Sequence, residues 1–482
     1  MNITRNELEK NYQWKSFVRR ISPPLWRNLE HLGFVRETLL KNNGFDMFMS
    51  WKSEMNLHCV HAPEHAEVLK MLNSEVRGNP SLIEKHSKRC YELCDDYIAF
   101  CTKHKSYESF NNAELRTVFA DYIAKNNAMV AYRPLILMLD KINAAMLEEE
   151  LSNDGNPEFH FEWITTDKPL PFVEERNAAI AIGSEIKSLG LDISSKLPEA
   201  IEQKINAHIE KYGWLFTHHF LGEPMTRKDV LDSVSKTQSE YNPNSMDEEN
   251  SKRKESLDKL KAISEKIKHH IDIAQDYAYL RTYRIDIATE GDFYFRAFFN
   301  EVAKRIGVSY DDFLFLITTE IIGWLDGEVS TNYLLDKIAK RKDYFVCYLI
   351  NDNEMHWFDG NEHYIPENKK TRPEQVMLKG KVAQRGRVSG KAKVVFAKEE
   401  NDKVNEGDIL VAPMTTPEMM IAIMKSAGIV TDEGGVASHA AQISREFGLP
   451  CVIGTGEATS LLRDDDVVEI IAEGINGTVI RL

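Results

Sequence analysis

The chain has 482 residues, enough for two or three domains with sizeable cores. Its net charge of -15, with no compensating basic block, argues against a general nucleic-acid or anionic-membrane binder. Six cysteines over this length exclude a disulfide framework, and neither a signal-peptide apolar core nor a membrane-length run is present, so a cytoplasmic protein is expected.

From the start to about residue 152 the pattern is helical. Ser22-Pro23-Pro24 marks a break followed by a new helix, and Phe45–Trp51 reads as a short strand or a buried extended piece. Helical spacing follows at about 80 to 103, 112 to 126 and 128 to 151, with Asn111 and Asn112 as caps. Cys90, Cys94 and Cys101 share one helical face, the ordinary behaviour of small core residues. Together with His58, Cys59, His61 and His65 they suggest zinc, but neither set has paired Cys-x-x-Cys spacing, so no metal site is assigned.

Asn153–Pro157 is a turn and the expected boundary of a second helical region, 153–360. Helices are expected at 172 to 189 and 197 to 211. The aromatic and histidine stretch Tyr212–His219 after them is read as a helix end packing a core rather than as a pocket wall. Asp232–Arg253 is polar enough to be a surface loop, and the alternating charges of Lys254–Ile271 mark an exposed helix. Arg281 and Arg284, three apart, share one helix face. Such a pair suits the oxygens of a phosphoryl group; the alternative is two arginines bonded to Asp286, Glu290 or Asp292.

A stretch rich in Asn, Glu, Lys and Pro, 361–375, reads as a linker. From 376 to 482 short apolar runs at 376 to 383, 391 to 397, 408 to 412, 428 to 431, 451 to 453, 466 to 471 and 477 to 481 are punctuated by glycines. With a helix from Thr416-Pro417 to Lys425 they make a compact α/β domain.

Within that domain, Gly428–Thr455 concentrates the chemistry. A strand ends at Thr431, Gly434 and Gly435 make a tight turn, and Ser438-His439 opens a helix with Ala441, Ile443 and Phe447 as its apolar stripe. Gly448 caps that helix and Pro450 stops it. The first helical turn presents unpaired N–H groups and the positive dipole end. The two glycines let the backbone approach an anion, and the Thr431 and Ser438 hydroxyls are expected to donate to it. Neutral imidazole is a nucleophile, so His439 is placed to carry a phosphoryl group. A structural or capping histidine is the competing reading.

Thr431, Gly434-Gly435, Ser438-His439-Ala440-Ala441, Arg445-Glu446-Phe447-Gly448, Pro450 and Gly454-Thr455 together resemble the phosphohistidine swivelling domain of phosphoenolpyruvate synthase, pyruvate phosphate dikinase and rifampicin phosphotransferase. The resemblance is dense over 376–482. Asp464-Asp465-Asp466 departs from it, since the family usually has a glycine between two acidic residues. More loosely, 276–318 is similar to the last helices of the acceptor-binding domain of rifampicin phosphotransferase.

The resemblance implies a mainly α-helical N-terminal region followed by a swivelling domain, with His439 loaded from ATP by an ATP-grasp domain. No Gly-rich phosphate loop and no β-rich stretch of ATP-grasp size is legible before residue 370, and the chain ends right after the histidine domain, so no (β/α)₈ barrel is expected. The expectation is a phosphotransferase component. A separate ATP-grasp partner would supply ATP and Mg²⁺, and a small-molecule acceptor would sit on the helical region. The alternative is a non-catalytic regulatory protein switched by histidine phosphorylation.

Overall fold

Pro24 takes the first position of the helix Pro24–Phe34, where a missing N–H costs nothing. Asn111 caps Asn112–Val130 through a capping box: its side chain accepts from Glu114 N–H at 3.0 Å while Glu114 accepts from Asn111 N–H at 2.7 Å. The structure is a computed structural model that describes the chain apart from residues 1–2, 20–21, 55–56, 154–162, 164–167, 194–195, 218–219, 241–262, 361–374, 397, 416–418, 435–437 and 475. It divides into two compact units, one of 1–139 with 294–482 and one of 140–293. Among the described residues no helix is long and apolar enough to cross a membrane. The expected linker and most of the turn after Asn153 lie outside the described residues.

In the first unit, a five-stranded antiparallel sheet joins distant parts of the chain. Its strands are β1 (Trp14–Arg19), β2 (Trp51–Glu54), β3 (Leu57–His61), β4 (Phe345–Ile350) and β5 (Glu354–Asp359), in the order β1-β3-β2-β4-β5. Met47, Met49 and Trp51 are buried alternately, so Phe45–Trp51 is an extended piece that runs into β2. Every residue of β4 is buried. Under the helix Pro24–Phe34, Glu30 receives both Arg27, at 3.1 Å, and Arg133. The His31 ring sits 2.9 Å from Ser53 Oγ and 3.2 Å from Cys347 Sγ. Cys90, Cys94 and Cys101 are fully buried on the core face of Ser81–Cys101. No group of three or more His, Cys, Asp or Glu among the described residues is placed to hold a metal ion.

The second unit packs the helices Pro171–Ser188, Glu199–Tyr212 and Arg227–Glu240 around Ile182, Ile186, Ile201, Ile205, Trp214 and Val234. Trp214 and Leu215 thus belong to the core, as the core reading of Tyr212–His219 holds, while His218 and His219 lie outside the described residues. The surface loop expected from Asp232 is a correction: the chain stays helical to Glu240, because Val230 and Val234 are fully buried and anchor that turn despite its polar neighbours. Residues 241–262, including the first half of the expected charged helix, lie outside the described residues, and Glu265 onward is helical, with Ile267 and Ile271 fully buried.

From Met377 the chain builds a closed barrel of β6 (Met377–Gln384), β7 (Gly386–Val394), β8 (Asp408–Ala412), β9 (Ser426–Thr431), β10 (Cys451–Ile453), β11 (Val467–Ala472) and β12 (Asn476–Arg481). The order is β10-β6-β12-β11-β7-β8-β9. Strands β7, β8, β9 and β10 run parallel to their neighbours in that series, and the remaining pairs are antiparallel. In β11 exposed and buried positions alternate, as in a sheet with one wet face, whereas all of β8 and nearly all of β9 are buried, as in a parallel strand covered on both faces. Their inward residues, among them Leu378, Val394, Val411, Val430, Val452 and Ile470, fill the barrel.

Candidate functional site

Three parallel strands, β8, β9 and β10, end at Ala412, Thr431 and Ile453, and the loops that follow share one end of the barrel. In open and closed α/β sheets the carboxyl ends of parallel strands are where ligands collect. The loop after β9 returns as the helix His439–Glu446. Ser438 is its N-cap, and its Oγ accepts from Ala441 N–H at 3.3 Å. The same hydroxyl carries one proton of its own to donate. His439 is the first helical residue; its backbone is described and its imidazole is not. Gly435 lies outside the described residues.

Gly434 has φ +124°, a conformation open to glycine alone. A Cβ added there would lie 2.9 Å from Ser438 Oγ and 3.1 Å from Ser438 Cβ, so the glycine is what lets Ser438 close on the loop, while Thr431 Oγ1, at 3.7 Å, would be in ordinary contact. Thr431 departs from the sequence expectation. Its side chain is fully buried and its hydroxyl donates to Glu433 O at 2.6 Å. A hydroxyl has one proton, so in this conformation Thr431 shapes the loop and has none for an anion.

The helix ends in a Schellman motif, Leu449 N–H to Ser444 O at 2.8 Å and Gly448 N–H to Arg445 O at 3.3 Å, with Gly448 at φ +64°. Ala441 and Ile443 are buried as expected. Phe447 is not: it is the C-cap residue, already past the helical stripe, and 37 % exposed. Arg445 Nε fixes the helix to β6 through Ala383 O at 3.1 Å.

In the second unit, Arg281 and Arg284 do share a helix, Glu265–Ile306. Arg281 pairs with Asp140 at 2.7 Å and not with the three acids near it in sequence; Arg284 is buried. Burial, and then Glu290, push the Asp286 carboxyl well above the usual carboxylate range.

Sequence reasoning passed over Asp432. This residue, 8 % exposed, accepts from Thr459 N–H at 3.1 Å and from the Thr459 hydroxyl, with the Thr455 hydroxyl 3.3 Å away. Its partners lie more than twenty residues downstream, and no local spacing announces them.

Residues 404–474 match the family described as PEP-utilising enzyme, mobile domain. The chain is 46% identical over 113 residues to a probable phosphoenolpyruvate synthase of Methanothermobacter thermautotrophicus, covering 23% of this chain and 16% of that relative. It is 52% identical over 99 residues to one of Archaeoglobus fulgidus, covering 20% and 13%. With the phosphoenolpyruvate synthase of Pyrococcus furiosus the identity is 47% over 176 residues, 33% of this chain and 21% of that one. The chain thus spans between 13% and 21% of the length of these curated relatives. The matched segment runs from the approach to β8 through β11 and has His439 at its centre.

Proposed function

We propose that the chain is a phosphotransferase component in which His439 carries a phosphoryl group between two sites. The observation that carries this reading is the position of His439: first residue of a capped helix, one loop after a glycine-only backbone position, at the carboxyl ends of parallel strands, inside the mobile-domain match. Amides unpaired at that helix start stabilise an anion, and the Ser438 proton adds a donor. Neutral imidazole attacks the donor phosphorus, the bond to the leaving oxygen breaks, and the phosphohistidine later yields the group to an acceptor. Splitting one difficult transfer into two easier ones is the chemical gain.

The donor is a nucleotide held by a separate ATP-grasp protein, with Mg²⁺ belonging to that protein's site. The acceptor is a small molecule on the helical region, to which the helix with Arg281 and Arg284 contributes. Incubation with γ- or β-labelled ATP and an ATP-grasp protein should label the wild-type chain and leave His439→Ala unlabelled. Label that persists in the substituted chain removes His439 from the mechanism. Stable complex formation with labelling but no turnover of any small acceptor would support the regulatory alternative instead.

A further inference from the structure

Barrel pairing fixes the chain only as far as Ala412, Thr431 and Ile453, and the loops beyond need other ties. Asp432 supplies them to both neighbours. Its N–H donates to Ala412 O at 3.1 Å, the end of β8, and its carbonyl accepts from Gly456 N–H at 2.8 Å, in the loop after β10. Its carboxylate takes the Thr459 N–H at 3.1 Å and the Thr459 hydroxyl, at the start of the helix Ala458–Leu461. The Thr455 hydroxyl donates to Thr431 O at 3.0 Å with Asp432 Oδ1 at 3.3 Å. Among the described residues no lysine or arginine pairs with this carboxylate; neutral donors hold it.

Two consequences follow for the loop before His439. Gly454, at φ +70°, is drawn so close to that loop that a Cβ on it would lie 3.3 Å from Gly434 O, so the two glycine-bearing turns face each other. The Gly456 and Thr459 amides and the Thr459 hydroxyl are spent on Asp432, and the Thr455 amide on Thr431 O, so these donors are turned toward the clasp rather than toward an anion at the start of the His439 helix.

We propose that Asp432 is a positioning residue, clasping the loop after β10 against the loop after β9 so that the start of the His439 helix is held open to a phosphoryl group. The inference rests on the carrier reading of His439, and its test is built to fail separately from that reading. Phosphoramidate is the probe: its P–N bond breaks as the imidazole N–P bond forms, and the imidazole proton leaves with ammonia. The full chain, Asp432→Ala, Thr459→Val and the double variant are compared for the rate of phosphohistidine formation, alongside exchange of the Gly434 and Gly456 amides.

Both single variants are expected to be labelled at least tenfold more slowly than wild type, with the Gly456 amide exchanging faster. The double variant should be no slower than the slower single, because both changes cut the same contact. Wild-type labelling rates in the single variants, or losses that multiply in the double one, overturn the clasp. If Asp432→Ala fails to fold, Thr459→Val, which deletes only the hydroxyl contact, decides the matter. A wild-type chain that takes no phosphoryl group sinks the carrier reading, and the amide exchange then still upholds or overturns the clasp.

Discussion

Gly434→Ala should leave the barrel folded and disable the loop in front of His439. At φ +124° a non-glycine residue carries strain on the order of 1–3 kcal/mol. The new methyl would also meet Ser438 Oγ at 2.9 Å and Ser438 Cβ at 3.1 Å, so the cap must move and its hydrogen bond to Ala441, worth about 1 kcal/mol, is weakened. Together these amount to about 2–4 kcal/mol, below the roughly 5–15 kcal/mol that keeps a domain folded. The loss is local, and a displacement of about 1 Å at a reacting group costs roughly a hundredfold in rate. Urea titration should show the destabilisation, and phosphohistidine formation should fall tenfold to a hundredfold. Gly448→Ala is the control: φ is +64° there but a Cβ has open space and touches nothing, so only about 1–2 kcal/mol is at stake and labelling should persist. A Gly434→Ala chain with wild-type urea midpoint and wild-type labelling would refute the reasoning.

Acid should weaken the first unit through two buried histidines. Burial pushes the pKa of both His31 and His86 down to about 4, so the folded chain withholds protons that the unfolded chain takes up near the ordinary value of ~6.5. Their contribution is complete above that value and is lost as pH falls toward 4, about 2 kcal/mol per site between pH 7 and pH 5. Urea midpoints at the two pH values measure it; a His86→Phe chain that loses as much as wild type would exclude His86. In the second unit, Arg281→Ala leaves Asp140 without its 2.7 Å partner and should destabilise by roughly 1–2 kcal/mol. Adding Asp140→Asn should restore part of that, and strict additivity in urea titrations would show the pair to be uncoupled.

The barrel was largely legible, the N-terminal sheet was not, and the difference is one of range. Strands β8, β9 and β10 lie where the apolar runs put them because each is bounded by glycine, proline or a capping serine within a few residues. β7 begins five residues earlier than expected. Gly386 and Gly390 read as punctuation, yet both pair with β11, opposite Ala472 and Val468. Long-range pairing overrides local propensity there. β4 carries a strand signal of its own, Phe345–Ile350, but its partner β2 lies some three hundred residues away, Trp51 opposite Leu349. The site shows the same divide. The Gly434 and Ser438 roles follow from neighbours in sequence, whereas the committed proton of Thr431 and the clasp of Asp432 exist only once the loops are folded together.

Asp465 carries that point one step further. Where the resemblance expects glycine, this chain has aspartate, and the residue still takes the left-handed conformation, φ +70°. The surroundings fix it. Asp465 N–H donates to Ala392 O at 2.9 Å, Asp464 accepts from Val394 N–H at 2.7 Å, and Asp466 accepts from Arg463 N–H at 2.8 Å. Lys393 adds an ion pair at 2.9 Å. Aspartate is among the few side chains that visit this region at modest cost, and the register of β7 against β11 holds the turn in place. At Gly434 no such substitution is open, because the added atom would fall on the residue that caps the His439 helix. A glycine in a motif is therefore informative only to the extent that a side chain would collide there, and by that measure the loop before His439 is the more tightly specified of the two.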